Sequence, residues 1–211
     1  MRHSALSAPV DHIVYGVHNL EAAIGDLESR LGVRPIVGGS HPGAGTHNAL
    51  LDLGGGSYLE VIAPDPGQPP PAGPRHFGLD AIPGPRLVGW AAKATDLEAR
   101  VEASRAAGYD PGAATPMQRQ RPDGVLLAWV LTAGGPGGDG LVPFLIDWGT
   151  APHPAQSAPQ GCRLTALRAR HPRPAEIGAQ LAALGIELEV QAGPVGLVAA
   201  LDTPNGPVEL T

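Results

Sequence analysis

Residues 11–17, Asp-His-Ile-Val-Tyr-Gly-Val, and residues 46–64, Thr-His-Asn-Ala-Leu-Leu-Asp-Leu-Gly-Gly-Gly-Ser-Tyr-Leu-Glu-Val-Ile-Ala-Pro, decide how this chain is read. Both are rich in Val, Ile, Leu and Tyr and are bounded by turn residues, which is the signature of strands. Between them Asn19 can cap a helix whose apolar stripe is Leu20, Ile24, Leu27 and Leu31, and Gly32 can end it. Val33–Val37 begins a second strand, Gly38–Gly45 is a turn, and His47–Leu53 with Ser57–Ala63 forms a hairpin about the Gly54-Gly55-Gly56 turn. The order is β-α-β-β-β. It places His12 in the first strand and Glu60 in the fourth.

Working outward, residues 64–86 hold eight prolines and four glycines, the composition of a linker or lid, in which His76 and Phe77 could touch a ligand. A second unit follows. Leu87–Ala94 reads as a strand, Thr95-Asp-Leu-Glu98 as a capping box with Thr95 as the cap, and the helix stops near Gly108. Thr115–Arg121 is a polar strand, Pro122-Asp-Gly124 a turn, and Val125–Leu131 with Leu141–Trp148 an apolar hairpin. Its glycine-rich loop, Ala133–Gly140, lacks the Gly-Lys-Ser/Thr ending of a phosphate-binding loop.

The linker Pro152–Gly161 leads to a third unit, with a strand at Leu164–Ala169, a helix opened by Pro174 and striped by Ile177, Leu181 and Leu184, and strands at Ile186–Val190, Leu197–Leu201 and Pro207–Leu210. The helices of the first and third units align without a gap, residues 23–33 on residues 176–186. A recurring pattern of this kind points to repeated units that bury their sheets against one another.

Composition narrows the function. Twenty acidic residues against 14 Lys and Arg, a net charge of −6, argue against a general nucleic-acid binder, and Arg163, Arg168, Arg170 and Arg173 read as a solvated face. The one cysteine, Cys162, excludes an internal disulfide and suits a reducing compartment. Met1–Ala8 lacks the apolar core of a signal peptide, and no apolar run approaches the roughly 20 residues that span a bilayer. The expectation is a cytoplasmic protein with no membrane partner.

The repeat, with Asp-His-Ile-Val-Tyr, Gly-Thr-His-Asn-Ala-Leu-Leu and Tyr-Leu-Glu-Val-Ile-Ala-Pro in place, resembles the vicinal-oxygen-chelate superfamily, which includes glyoxalase I, extradiol dioxygenases and the bleomycin-resistance proteins, and within it the glyoxalase-like branch. The resemblance implies an α+β fold in which curled mixed sheets form a cleft and helices pack on the outer face. It divides the chain into a glyoxalase-like domain over residues 9–149, built from modules 9–64 and 87–149 joined by linker 65–86, and a third module over 162–211, packed on that domain or at a homodimer interface.

It also implies a divalent metal, Fe, Mn, Zn or Ni, held by His12 and Glu60, with open positions for two vicinal oxygens of a small-molecule substrate. Gly89 or a neighbour stands where a second histidine is usual, and Ile146 or Asp147 stands where Glu60 recurs; a one-residue shift decides the face. Asp147 is therefore either a third ligand or a strand-end residue with a structural bond. His47 is a candidate substrate contact or general base, and Asn48, Trp90, Trp129 and Trp148 are candidate pocket residues. His18 and His171 occupy matching places in two repeats and read as structural, whereas Glu209 repeats Glu60 with Thr165 in the place of His12. Two functions follow: a metal-dependent enzyme of isomerase, lyase or dioxygenase type, or a binding protein that sequesters a small ligand without catalysis.

Overall fold

The computed structural model describes residues 9–120, 124–132 and 137–211. The turn expected at Pro122-Asp123 and the first half of the glycine-rich loop lie outside them. Among the described residues twelve strands form two sheets, accompanied by three α-helices, and no helix is long and apolar enough to cross a membrane.

The first module contains β1 (Val10–Gly16), α1 (Leu20–Leu31), β2 (Ile36–His41), β3 (Thr46–Asp52) and β4 (Tyr58–Pro64). Asn19 is extended and its side chain accepts from the Ala22 amide, while Gly32, at φ 76°, ends α1 in the left-handed region that glycine alone enters freely. The second module contains β5 (Arg86–Lys93), α2 (Leu97–Ala106), β6 (Ala114–Gln120), β7 (Leu126–Thr132) and β8 (Phe144–Asp147). Here the cap is Asp96, not Thr95: its carboxylate accepts from the Ala99 amide. The two modules share one eight-stranded sheet in the order β2-β3-β4-β1-β5-β8-β7-β6. In each half the first strand runs parallel to the last, and β1 meets β5 antiparallel at the centre. The sheet curls until its edges, β2 and β6, approach each other, and the Arg119 guanidinium on β6 donates to the Gly38 carbonyl on β2.

The third unit keeps the order of elements and changes the order of strands. Its members are β9 (Arg163–His171), α3 (Pro174–Ala183), β10 (Glu189–Ala192), β11 (Gly196–Thr203) and β12 (Gly206–Leu210). They form a separate sheet, β10-β9-β11-β12, in which β9 runs parallel to the second strand rather than the fourth. A short return from α3 sets β10 directly beside β9, the ordinary βαβ crossover. Glu209 therefore sits exposed on edge strand β12, paired with Arg168, and does not correspond in place to Glu60.

This second sheet packs against the helix-bearing face of the first, with β11 near β5, β12 near α1 and α3 near α2. One core results: Ile13, Ile24, Leu27, Leu59, Trp90 and Leu145 from the first two modules meet Leu164, Leu167, Ile177, Leu181 and Leu197 from the third. Backbone bonds from Leu164 to Leu53 and from Leu87 to Thr211, both 2.9 Å, stitch the sheets together.

Candidate active site

The concave face of the eight-stranded sheet encloses a cavity of about 340 Å³. Strand alternation selects what lines it. On β4, Tyr58, Glu60 and Ile62 face the cavity while Leu59, Val61 and Ala63 enter the core; on β3, Thr46 and Asn48 face it while Ala49 and Leu51 do not. The first module contributes His12, His41, Thr46, Asn48 and Glu60, and the second adds Thr115, Gln118 and Thr132. The facing wall is mostly apolar, with Met117, Trp129, Leu131, Phe144, Ile146 and Trp148, and includes Arg119. The segment between modules contributes His76 and Phe77, the latter against Phe144.

Two β-bulges shape the polar end. Opposite β5, the register steps from Val10–Ala92 to His12–Ala91, so Asp11 is an extra residue without a partner on β5. A bulge re-aims its side chain, and here it lets adjacent residues converge instead of diverging. The Asp11 carboxylate accepts from His12 Nδ1 at 2.8 Å, from Trp148 Nε1 at 3.3 Å and from His153 Nε2 at 3.0 Å. Burial alone would raise the Asp11 pKa; the bonds from His12 and His153 outweigh it and hold the group well below the usual carboxylate range. Because an ionised carboxylate only accepts, the His12 nitrogen that carries a proton against Asp11 is Nδ1, and Nε2 is the ring nitrogen that faces Glu60 Oε2, at 3.7 Å. The His12 ring lies stacked on Tyr58, centroids 4.6 Å apart, with Phe144 edge-on at 5.5 Å.

The second bulge is Gly38, between the pairs Val37–Ala49 and Gly39–Asn48. A Cβ there would lie 2.4 Å from Asn48 Oδ1, so glycine leaves the room in which Asn48 stands. Asn48 Nδ2 donates to Glu60 Oε1 at 2.6 Å, which orients the carboxylate and leaves Oε2 towards His12. Asn48 Oδ1 is buried with no partner among the described residues. His41 places Nδ1 against Thr46 Oγ1 at 2.9 Å and Nε2 3.8 Å from Glu60 Oε1. Burial lowers the His41 pKa, and the Glu60 charge opposes that shift without cancelling it. Burial likewise pushes the Tyr58 phenol well up, so it stays protonated.

The structure brings His12, Asn48, Glu60 and Trp148 to one cavity and leaves three other candidates outside it. His47 has the opposite strand parity from Thr46 and Asn48 and does not line the cavity. Trp90 is fully buried in the shared core, its Nε1 donating to the Leu141 carbonyl at 2.8 Å. Asp147 shares a face with Leu145 of the core, and it accepts from the Gly149 amide at 2.8 Å, a strand-end bond. Register also corrects the position matching Glu60. Glu60 pairs with Val14 on β1; the matching β5 residue, Ala91, pairs with Phe144 on β8. Gly89 and Phe144 thus stand where His12 and Glu60 stand in the first half, and neither is a donor.

The sequence reading missed Asp11, His41, Tyr58, Arg119 and His153. An aspartate directly before His12 was the one visible signal, and only a bulge makes it meaningful.

The donor chemistry of His12 Nε2 and Glu60 Oε2 suits a divalent transition metal, and a carboxylate behind the distal nitrogen of a histidine is the usual support for a metal-ligating imidazole. The pair fits such an ion as a two-residue seat. Among the described residues no three His, Cys, Asp or Glu side chains converge on one point.

The glyoxalase-like domain family matches this sequence over residues 10–185. No curated protein matches it. Among solved structures, a hypothetical protein from Staphylococcus aureus superposes with a TM-score of 0.65 at 13% identity, covering 96% of this chain and 98% of that one. A mutant of 4-hydroxymandelate synthase from Streptomyces coelicolor gives 0.54 at 16% identity, covering 97% of this chain and 62% of that one. Methylmalonyl-CoA epimerase from Mycobacterium tuberculosis gives 0.43 at 19% identity over 73% of this chain and 96% of that one. The first two share the fold.

Proposed function

The chain belongs to the glyoxalase-like domain family of the vicinal-oxygen-chelate superfamily, and from that membership we propose that it is a divalent-metal-dependent enzyme acting on a small oxygenated substrate by isomerase, lyase or dioxygenase chemistry. One observation carries the reading: a buried histidine, fixed by Asp11 with its Nε2 inward, faces the carboxylate of Glu60 across 3.7 Å in a cavity with a largely apolar opposite wall. His12 and Glu60 would hold the ion, which when bound polarises a substrate carbonyl and stabilises charge developing on oxygen. Asn48 keeps Glu60 turned towards His12, and Tyr58 with Phe144 keeps the imidazole from rotating. His41 lines the same end of the cavity, its Nε2 3.3 Å from Asn48 Nδ2 and 3.8 Å from Glu60 Oε1, and steadies both side chains. The aromatic wall excludes water and receives the substrate's apolar body.

Elemental analysis of untagged protein tests this. About one divalent ion per chain is expected, lost in His12→Ala and in Glu60→Gln. No metal in the wild type, even after reconstitution, would reject it.

A second reading, a ligand-sequestering protein without metal chemistry, is favoured by the second module, whose Gly89 and Phe144 supply no donor. It predicts tight ligand uptake that chelators leave unchanged.

A further inference from the structure

The segment joining the two sheets sends one side chain into the polar end of the cleft. His153 precedes a short 3₁₀ turn, Pro154–Gln156, that packs on β3. The Ala155 amide points at His153 Nδ1 at 3.3 Å, so that nitrogen accepts and Nε2–H donates to Asp11 Oδ2 at 3.0 Å. The ring stands edge-on to Tyr58 at 5.5 Å and to Trp148 at 5.7 Å. The segment ends in the Asp52–Pro159 backbone bond of 2.9 Å, which ties the chain after His153 to β3.

We propose that His153 is a positioning residue for His12, acting through Asp11, so that the inter-sheet linker completes the site. Asp11 is a bulge residue with no partner on β5, and its carboxylate is 1% exposed. His12 and Trp148 occupy Oδ1; His153 occupies Oδ2. Without His153, Oδ2 is buried with no donor, a costly state. The carboxylate relieves it by rotating towards other donors, and that rotation releases His12 Nδ1–H. His12 can then adopt the other tautomer, which turns an N–H rather than a lone pair towards Glu60. His153 therefore selects which His12 nitrogen is available in the cavity. The metal consequence rests on the reading given above; the tautomer consequence does not.

The test is long-range ¹H–¹⁵N correlation of ¹⁵N-histidine-labelled protein, with His12 assigned from His12→Gln. Wild type is expected to show His12 as the Nδ1–H tautomer. His153→Phe keeps a ring against Tyr58 and Trp148 but removes the donor, and is expected to shift His12 to a mixture or to Nε2–H; His153→Gln, which keeps an N–H donor, restores the wild-type pattern. Zn²⁺ affinity, measured by competition with a chromophoric chelator, is expected to fall about tenfold in His153→Phe and recover in His153→Gln. A folded His153→Phe with unchanged His12 resonances overturns the proposal, as does a wild-type His12 protonated on Nε2. If His153→Phe does not fold, His153→Met against His153→Gln makes the same comparison. If wild type binds no Zn²⁺, the metal reading fails and the tautomer comparison still decides this one.

Discussion

Asp11 shows how much of this site depends on one side chain with no chemistry of its own to perform. Its folded pKa lies below the ordinary carboxylate value. The stability it contributes is therefore complete above about pH 4 and is lost as pH falls through the depressed folded value. His41 works in a different window. Burial depresses its folded pKa, so on acidification the unfolded chain takes up the proton first, and stability declines as pH falls below about 6.5 until folded His41 also titrates. Urea unfolding from pH 7.5 to 3 is expected to show a falling midpoint between pH 7 and 5 that His41→Gln flattens and Asp11→Asn does not; each unit of pKa separation is worth about 1.4 kcal/mol. His12 and Glu60 were legible because a charged or imidazole residue inside a run of Val, Ile and Leu on a strand stands out. Asp11 and His153 were not: a bulge is a property of two strands, and a histidine in a proline-rich linker carries no periodicity. His47 and Asn48 are neighbours on one strand, and pleating alone dictates that only one of them can face the cleft.

At the scale of elements, the two bulges do opposite things to their strands. The one at Asp11 turns an extra side chain inward; the one at Gly38 removes a side chain so that Asn48 can stand beside Glu60. Gly38→Ala puts a methyl 2.4 Å from Asn48 Oδ1 and 3.1 Å from Leu50 Cγ. Asn48 must then swing off Glu60, so the variant is expected to lose about 1–3 kcal/mol of stability and to bind divalent metal more weakly than wild type, measured by thermal unfolding and metal titration. The β-α-β-β-β order was legible throughout, since helix stripes and strand runs are local. The pairing of the third unit was not. Identical element order is compatible with β9 lying beside β10 or beside β12, and packing against α1 and α2, contacts remote in sequence, goes with the former.

The whole molecule has one apolar interior between its two sheets, although the sequence divides at residue 149. Removing residues 150–211 would strip Leu164, Leu167, Ile177, Leu181 and Leu197 from the shared interior and leave Asp11 without His153. Such a truncated chain is expected to bind a hydrophobic dye and to lose its cooperative thermal transition, where a self-sufficient domain would retain one. The eight-stranded sheet also separates the three tryptophans. Trp90 is sealed in the common interior, while Trp129 and Trp148 stand with ring centroids 5.1 Å apart and line the cavity. Spectroscopically the protein is therefore two instruments in one chain: a lone indole whose emission reports the opening of the interior, and an exciton-coupled pair whose circular dichroism changes when a molecule settles against it.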